Sequence, residues 1–326
     1  MSRSKLSIVV LVALVLLAIA GPKVKIDTSW EEVTVPGNVE QWLAEKEGAV
    51  SNLRPGLEKA IIWADSSHRK TPLSVVYLHG FSSSRNETNP FSDSIAAALG
   101  ANLYYARLRG HGQDGEAMGK AQAQEWIQDT VESIRIGEKL GDRVILVGTS
   151  TGVTLAAWAS TEPQLNTNIA AQVWVSPNFG PKDSRSGMML WPWGKQLLKL
   201  IQGETYGWEA QNELHAAAGT REFNSDVLLQ MMGLVDHVQG LDFSTIASPV
   251  FVVYSPTDQV INHDITLELI GKMDASRVDT MMVLTALDEN NHVIVGEALG
   301  PENTIPVAHR ALEFITSHLN IPGHLN

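Results

Sequence analysis

Seven short, continuously apolar runs constrain the fold of this chain more than any other feature: AIIWAD (60–65), LSVVYLHG (73–80), ANLYYAR (101–107), RVILVGTS (143–150), AAQVWVSP (170–177), SPVFVVYSP (248–256) and TMMVLTAL (280–287). Each has the length of a strand, and most lack polar alternation, as expected of parallel strands covered on both faces. Helix-like stretches lie between them at Phe91 to Leu99, Ala121 to Leu140, Thr151 to Ser160, His263 to Met273 and Pro306 to Leu319. Strand and helix in alternation predict an α/β fold with a doubly wound, mostly parallel sheet. The rhythm breaks between Asn178 and Ser244, where no run reads as a strand and helical pieces surround Trp193 to Ile201 and Phe223 to Val238. The chain therefore divides into residues 1–22, an N-terminal extension 23–57, a core built from 58–177 and 247–326, and a helical insertion 178–246. With 326 residues, 44% of them hydrophobic and 18% charged, it can bury a sizeable core.

Residues 1–22 read as a segment outside that fold. Arg3 and Lys5 precede an apolar run from Leu6 to Ala20, and Ala18-Ile19-Ala20 has the small-x-small form of a signal cleavage site. The run is short against the ~20 residues of a membrane-crossing helix. A cleaved export signal, an uncleaved anchor and a buried N-terminal helix remain the alternatives. Either of the first two places the protein outside the cytoplasm, free or tethered to the membrane through residues 6–20. The formal charge of −12 and the absence of a Lys/Arg run argue against a nucleic-acid partner. Cysteine is absent, which excludes thiol nucleophiles, Cys-based zinc sites and disulfides.

The run RVILVGTSTGVTLAAWA (143–159) places Ser150 between a strand and a helix, with Gly148 and Gly152 on either side. A serine on such a strand-to-helix turn is held in a strained conformation at the carboxyl edge of the sheet, where open α/β sheets bind ligands. Its hydroxyl is a poor nucleophile without a base, and the base needs an orienting acid. Asp258 follows one strand and His292 the next, so both fall at the same edge as Ser150. His263, His309, His318 and His324 are weaker candidates for the base: the first lies too close to Asp258, the next two read as helical, and the last is in the tail. Asp264 and Asp288 are the alternatives to Asp258. Two backbone N–H groups fit an oxyanion site: Thr151, at the helix N-terminus, and Phe81, which opens the loop after His79-Gly80. His79 reads as a residue that orients this loop and not as a base.

Taken in this order, His79-Gly80-Phe81, Arg109-Gly110-His111-Gly112, Gly148 to Gly152, Asp258 and His292 resemble the α/β-hydrolase superfamily, within it the monoacylglycerol lipase, carboxylesterase and lysophospholipase branch, also described as serine aminopeptidase-like. The resemblance spans about residues 58 to 320. It implies a serine hydrolase acting on a small-molecule acyl ester through an acyl-enzyme, with Ser150 as nucleophile, His292 as base and Asp258 as its partner, and with no cofactor or metal. Arg107 stands where the branch commonly carries the Asp of D-x-R-G-H-G, and Trp126 and Asp129 resemble the helix that follows that motif. An amidase or peptidase, an acyltransferase and a non-catalytic binding protein are the alternatives on the same scaffold. The resemblance also implies that 178–246 forms a cap over Ser150. There Met188, Met189, Leu190, Trp191 and Trp193 cluster within six positions. Such a cluster is too apolar to stand bare in water. It either packs onto the sheet as core or lines an acyl tunnel, with Met188, Met189 and Trp191 as substrate-binding residues.

Overall fold

In the computed structural model of the chain, residues 20–321 are described, together with Lys5 and Leu16; the apolar run read as a signal or anchor lies almost entirely outside the described residues. Helix α1 (Val39–Gly48) belongs to the N-terminal extension. The body follows with β1 (Ala60–Ile62), β2 (Thr71–Leu78), α2 (Phe91–Leu99), β3 (Asn102–Tyr105), α3 (Gly115–Lys120), α4 (Ala123–Leu140), β4 (Gly141–Thr149), α5 (Thr151–Thr161) and β5 (Ile169–Val175). The insertion holds α6 (Gly194–Gln202), β6 (Thr205–Gly207), α7 (Glu213–Ala218), β7 (Glu222–Asn224) and α8 (Val227–Gln239). The chain returns to the body with β8 (Val250–Tyr254), α9 (His263–Ile270), β9 (Val278–Met282) and α10 (Pro301–Leu319).

All seven apolar runs enter one sheet, in the order β1-β3-β2-β4-β5-β8-β9, with β1 antiparallel and every other pair parallel. The sheet is covered on both sides. On one face α4, α5 and α8 share a core with Trp126, Trp158 and Trp174, each at most 1% exposed; on the other, α2 and α10 pack through Phe91, Ile95, Leu312 and Phe314. A fully buried large apolar side chain contributes about 1.5–3 kcal/mol, and the continuous runs supply such side chains to both cores.

The structure revises several expected boundaries. The helix expected from Ala121 begins at Ala123, where Gln122 and Glu125 form a capping box, and a short helix that the sequence did not suggest, α3, precedes it. The C-terminal helix begins at Pro301, five residues before the expected start, with Pro301 in its first turn and Pro306 inside it. The seventh run pairs only as far as Met282, and Leu284 and Leu287 beyond it stand exposed. The insertion is not purely helical: β6 and β7 pair antiparallel over three residues each, and Phe223, expected in a helix, lies in β7.

Candidate active site

Strand β4 lies between β2 and β5, so the turn at its carboxyl end opens at the middle of the sheet edge. Ser150 occupies that turn with φ 52° and ψ −116°, a conformation that L residues seldom adopt. Its N–H donates to Val175 O at 2.9 Å, and α5 starts at the next residue. The flanking glycines answer to close approach: a Cβ at Gly152 would lie 2.0 Å from Leu78 O, and one at Gly148 would lie 2.9 Å from Val153 N. Any side chain at either position would push the elbow off its neighbours.

Three predicted residues meet here. His292 Nε2 is 3.0 Å from Ser150 Oγ, and His292 Nδ1 is 2.7 Å from Asp258 Oδ2. Asp258 is fully buried, and its other oxygen accepts from the N–H groups of Val260 and Ile261 at 2.7 and 2.9 Å, which fixes the plane of the carboxylate. Ser176 Oγ donates to His292 O at 2.6 Å and pins the histidine loop to the end of β5. Burial pulls the His292 pKa down, but the charge and hydrogen bond of Asp258, aided by Asp288 and Glu87, outweigh it and hold the imidazole above its ordinary value.

The rival acids and bases sit elsewhere. Asp288 accepts from the N–H groups of Asn290, His292 and Val293, so it shapes the histidine loop without touching the ring. Asp264 is exposed on α9 beside His263. His263 stacks on Tyr254, His309 is exposed on α10, and His318 bonds Phe314 O. His324 lies outside the described residues.

The loop after β2 crosses directly in front of Ser150: a Cβ on Gly80 would lie 3.4 Å from Ser150 Cβ. Gly80 N–H donates to Glu87 Oε1, and Ser82 N–H donates to His111 Nε2 at 3.0 Å. Among the described residues the N–H groups of Phe81 and Thr151 have no such acceptor. Both remain available to an anion at the elbow.

Two histidines hold this loop in place. His79 Nε2 accepts from Leu108 N–H at 3.1 Å while its Nδ1 sits 2.9 Å from Gly80 O; burial first, then the Arg107 charge, pushes its pKa down to about 4. His111 is likewise buried and driven well below the ordinary imidazole value, with its Nδ1 3.1 Å from Arg109 O. Each neutral ring can donate at Nδ1 and accept at Nε2. Arg107 explains the departure from D-x-R-G-H-G. It donates to both oxygens of Glu47 on α1, at 2.7 and 2.8 Å, and to His111 O at 3.2 Å. Trp126 Nε1 donates to Arg109 O, and Asp129 accepts from Arg109 N–H, so the helix after the motif braces the same loop.

Sequence reasoning missed Glu87. It is buried, accepts from Gly80 N–H, and accepts from Tyr77 OH at 2.8 Å; Tyr77 OH also lies 3.2 Å from Thr149 Oγ1. One carboxyl thereby links the Phe81 loop to the residue before Ser150. A single Glu in a polar loop carries no local signal for such a role. The insertion contributes a strap that was equally invisible. Trp208 Nε1 donates to Ser82 Oγ, Thr220 N–H donates to Ser82 O, and Gln211 Nε2 donates to Asp288, so residues 208–220 bridge the Phe81 and His292 loops.

The apolar cluster divides. Met188 and Met189 line a cavity of about 330 Å³ within the insertion, with Leu197, Leu198, Ile201, Tyr206 and Leu228 among its walls. Trp191 is 58% exposed and does not line it. Tyr206 packs against Phe223, and Phe223 against Phe81, each at 5.6 Å between ring centroids, so aromatic side chains connect the cavity wall to the loop before Ser150.

Residues 75–297 match the Alpha/beta hydrolase family. The chain belongs to that family. No curated protein sequence matches it. Among solved structures it is similar to a lipolytic enzyme from the metagenome-derived pair LipS and LipT, at 18% identity and TM-score 0.64, covering 82% of this chain and 100% of the other. It is also similar to the monoacylglycerol lipase of Paleococcus ferrophilus, at 15% identity, TM-score 0.60, covering 80% and 99%. A soluble variant of monoglyceride lipase from Saccharomyces cerevisiae, in complex with a substrate analog, aligns at 11% identity and TM-score 0.60, covering 80% and 91%. At these identities the likeness is one of fold. The seven-stranded sheet and its two helical layers are those of an α/β hydrolase.

Proposed function

We propose that the protein is a serine hydrolase of carboxylic esters, acting on a small-molecule acyl ester as a carboxylesterase or a monoacylglycerol or lysophospholipid lipase. The carrying observation is the hydrogen-bonded sequence Ser150–His292–Asp258, with the serine on a strained elbow beside two available N–H groups. His292 takes the Ser150 proton at Nε2 as Oγ attacks the ester carbonyl, and Asp258 stabilises the imidazolium that forms. The tetrahedral oxyanion accepts from Phe81 and Thr151 N–H, donors held in place before the reaction begins. His292 then protonates the leaving alkoxide, and water, deprotonated by the same ring, releases the acid from Ser150. The lipolytic and monoglyceride-cleaving enzymes among the structural neighbours support an ester in preference to an amide.

A panel of p-nitrophenyl esters and aminoacyl anilides, assayed with and without an added alcohol acceptor, tests this reading. The wild type is expected to cleave the esters and transfer little acyl to alcohol. Ser150→Ala is expected to lose at least about 10³-fold in kcat, together with labelling by a fluorophosphonate, while its circular dichroism is unchanged. Ester turnover at wild-type rate by Ser150→Ala would sink the proposal, and preferential anilide cleavage would redirect it to a peptidase.

A further inference from the structure

The insertion carries an apolar face turned to solvent. Leu200 is 83% exposed, Ile201 70%, Trp191 58% and Trp193 37%, four large apolar side chains within residues 191–201. Trp193, Leu197, Leu200 and Ile201 follow the spacing i, i+4, i+7, i+8 and form one stripe along α6 and its first turn. Leu198 is buried and fixes the helix to the body. The outer stripe is therefore not a packing face left over from the core. Leu197 and Ile201 also wall the cavity that holds Met188 and Met189, so the cavity borders this face.

The N-terminal chain enters the described body at the same place. Trp193 N–H donates to Pro22 O at 2.9 Å, and a Cβ on Gly21 would lie 2.2 Å from Trp193 Nε1. Just beyond, Ile26 packs against Gly233 of α8. The apolar run Leu6 to Ala20 thus joins the body at Trp193 with no spacer. Lys23 and Lys25 are exposed immediately after it, and they line a surface depression with Lys195. Asp226 neutralises Lys195 at 2.6 Å, which leaves Lys23 and Lys25 as local positive charge on a chain whose formal charge is −12.

We propose that this face docks on a phospholipid bilayer: the Trp191, Trp193, Leu200 and Ile201 side chains enter the headgroup and upper acyl region, with Lys23 and Lys25 at the level of the phosphates. Apolar stripe, paired tryptophans and flanking lysines are the composition of an element that lies in the membrane interface. The N-terminal run supplies the reason for a bilayer over another protein. Retained as an anchor, one of the alternatives read from the sequence, a segment that enters lipid at Ala20 brings Trp193 to the same surface, and the tether replaces a bimolecular encounter by an intramolecular one. The proposal does not depend on the reaction performed at Ser150.

The absence of cysteine makes the test direct. A nitroxide is attached to the full chain at Leu200→Cys, or, as control, at Ile305→Cys on α10, which packs on the opposite face of the sheet. Collisions with molecular oxygen and with a water-soluble nickel chelate are measured with and without phosphatidylcholine vesicles. On adding vesicles, the label at 200 is expected to lose nickel collisions severalfold and to gain oxygen collisions, while the label at 305 does not change. Adding Trp191→Glu, with the circular dichroism intact, should return the label at 200 toward its aqueous values. The proposal is overturned if the label at 200 keeps full nickel access in the presence of vesicles. It is equally overturned if that label is already shielded without lipid, since a second copy or the N-terminal run itself would then cover the stripe.

Discussion

Glu87 shows how one side chain can reach both segments that flank Ser150. Its carboxyl receives Gly80 N–H, which orients the next peptide and its Phe81 N–H, and it receives Tyr77 OH, which reaches Thr149 one residue before Ser150. Its charge also helps to keep the His292 pKa above the ordinary imidazole value. In the proposed mechanism His292 must be neutral to accept a proton, so activity falls as pH drops through that raised pKa, and the acid limb of kcat/KM is expected above the unperturbed value of about 6.5. Glu87→Gln keeps the shape of the side chain and removes its charge. The expected result is an acid limb displaced to lower pH and a kcat lowered by about tenfold with KM little changed, since the misplaced donor matters only in the transition state. A full pH–rate profile of both proteins checks it; superimposable limbs would mean that the charge of Glu87 does not reach His292.

At the scale of elements, what the sequence reveals follows from how local the cause is. The seven strands and the elbow at Ser150 were legible because continuous apolar runs and a Gly-x-Ser-x-Gly turn are determined by neighbouring residues. The order of Asp258 and His292 along the chain placed them at the same sheet edge for the same reason. The strap 208–220, the β6–β7 hairpin and Glu87 were not legible. The strap depends on contacts such as Trp208 to Ser82 and Gln211 to Asp288, between residues 126 and 77 positions apart, whereas Glu87 meets Gly80 and Tyr77, seven and ten positions earlier, only through the shape of the loop between them. The apolar cluster of the insertion lies between these cases: composition identifies it as greasy, but only the fold separates Met188 and Met189 on the cavity wall from Trp191 on the outside. If the cavity receives the end of an acyl chain, each buried methylene contributes up to ~0.8 kcal/mol, and kcat/KM should rise with chain length until the cavity is full. Met188→Ala and Met189→Ala are expected to change the chain length at which that rise stops, whereas Trp191→Ala leaves it in place. Identical profiles for all four proteins would assign the cavity to packing alone.

For the whole molecule, the informative feature is the joint between α1 and the Arg109 loop. Arg107 and Glu47 are 5% and 8% exposed, and burial alone would raise the Glu47 pKa, but the hydrogen bonds and charge of Arg107 hold it below the usual carboxylate value. Removing one partner leaves the other charge buried and unpaired, which costs about 3–5 kcal/mol. Glu47→Ala is therefore expected to lose about that much in urea unfolding, and Glu47→Leu combined with Arg107→Met is expected to recover most of it. Equal losses for the single and double variants would show that the pair contributes nothing specific. The wider meaning concerns boundaries. The family match covers residues 75–297, and Glu47 lies outside it. The matched segment is thus smaller than the unit that folds: it carries a buried cation whose counter-ion is encoded upstream. Position 107 carries a cation where the resembled branch commonly has an acid, and the acid that pairs with it here lies sixty positions earlier, so a fragment trimmed to the family boundary would separate the two.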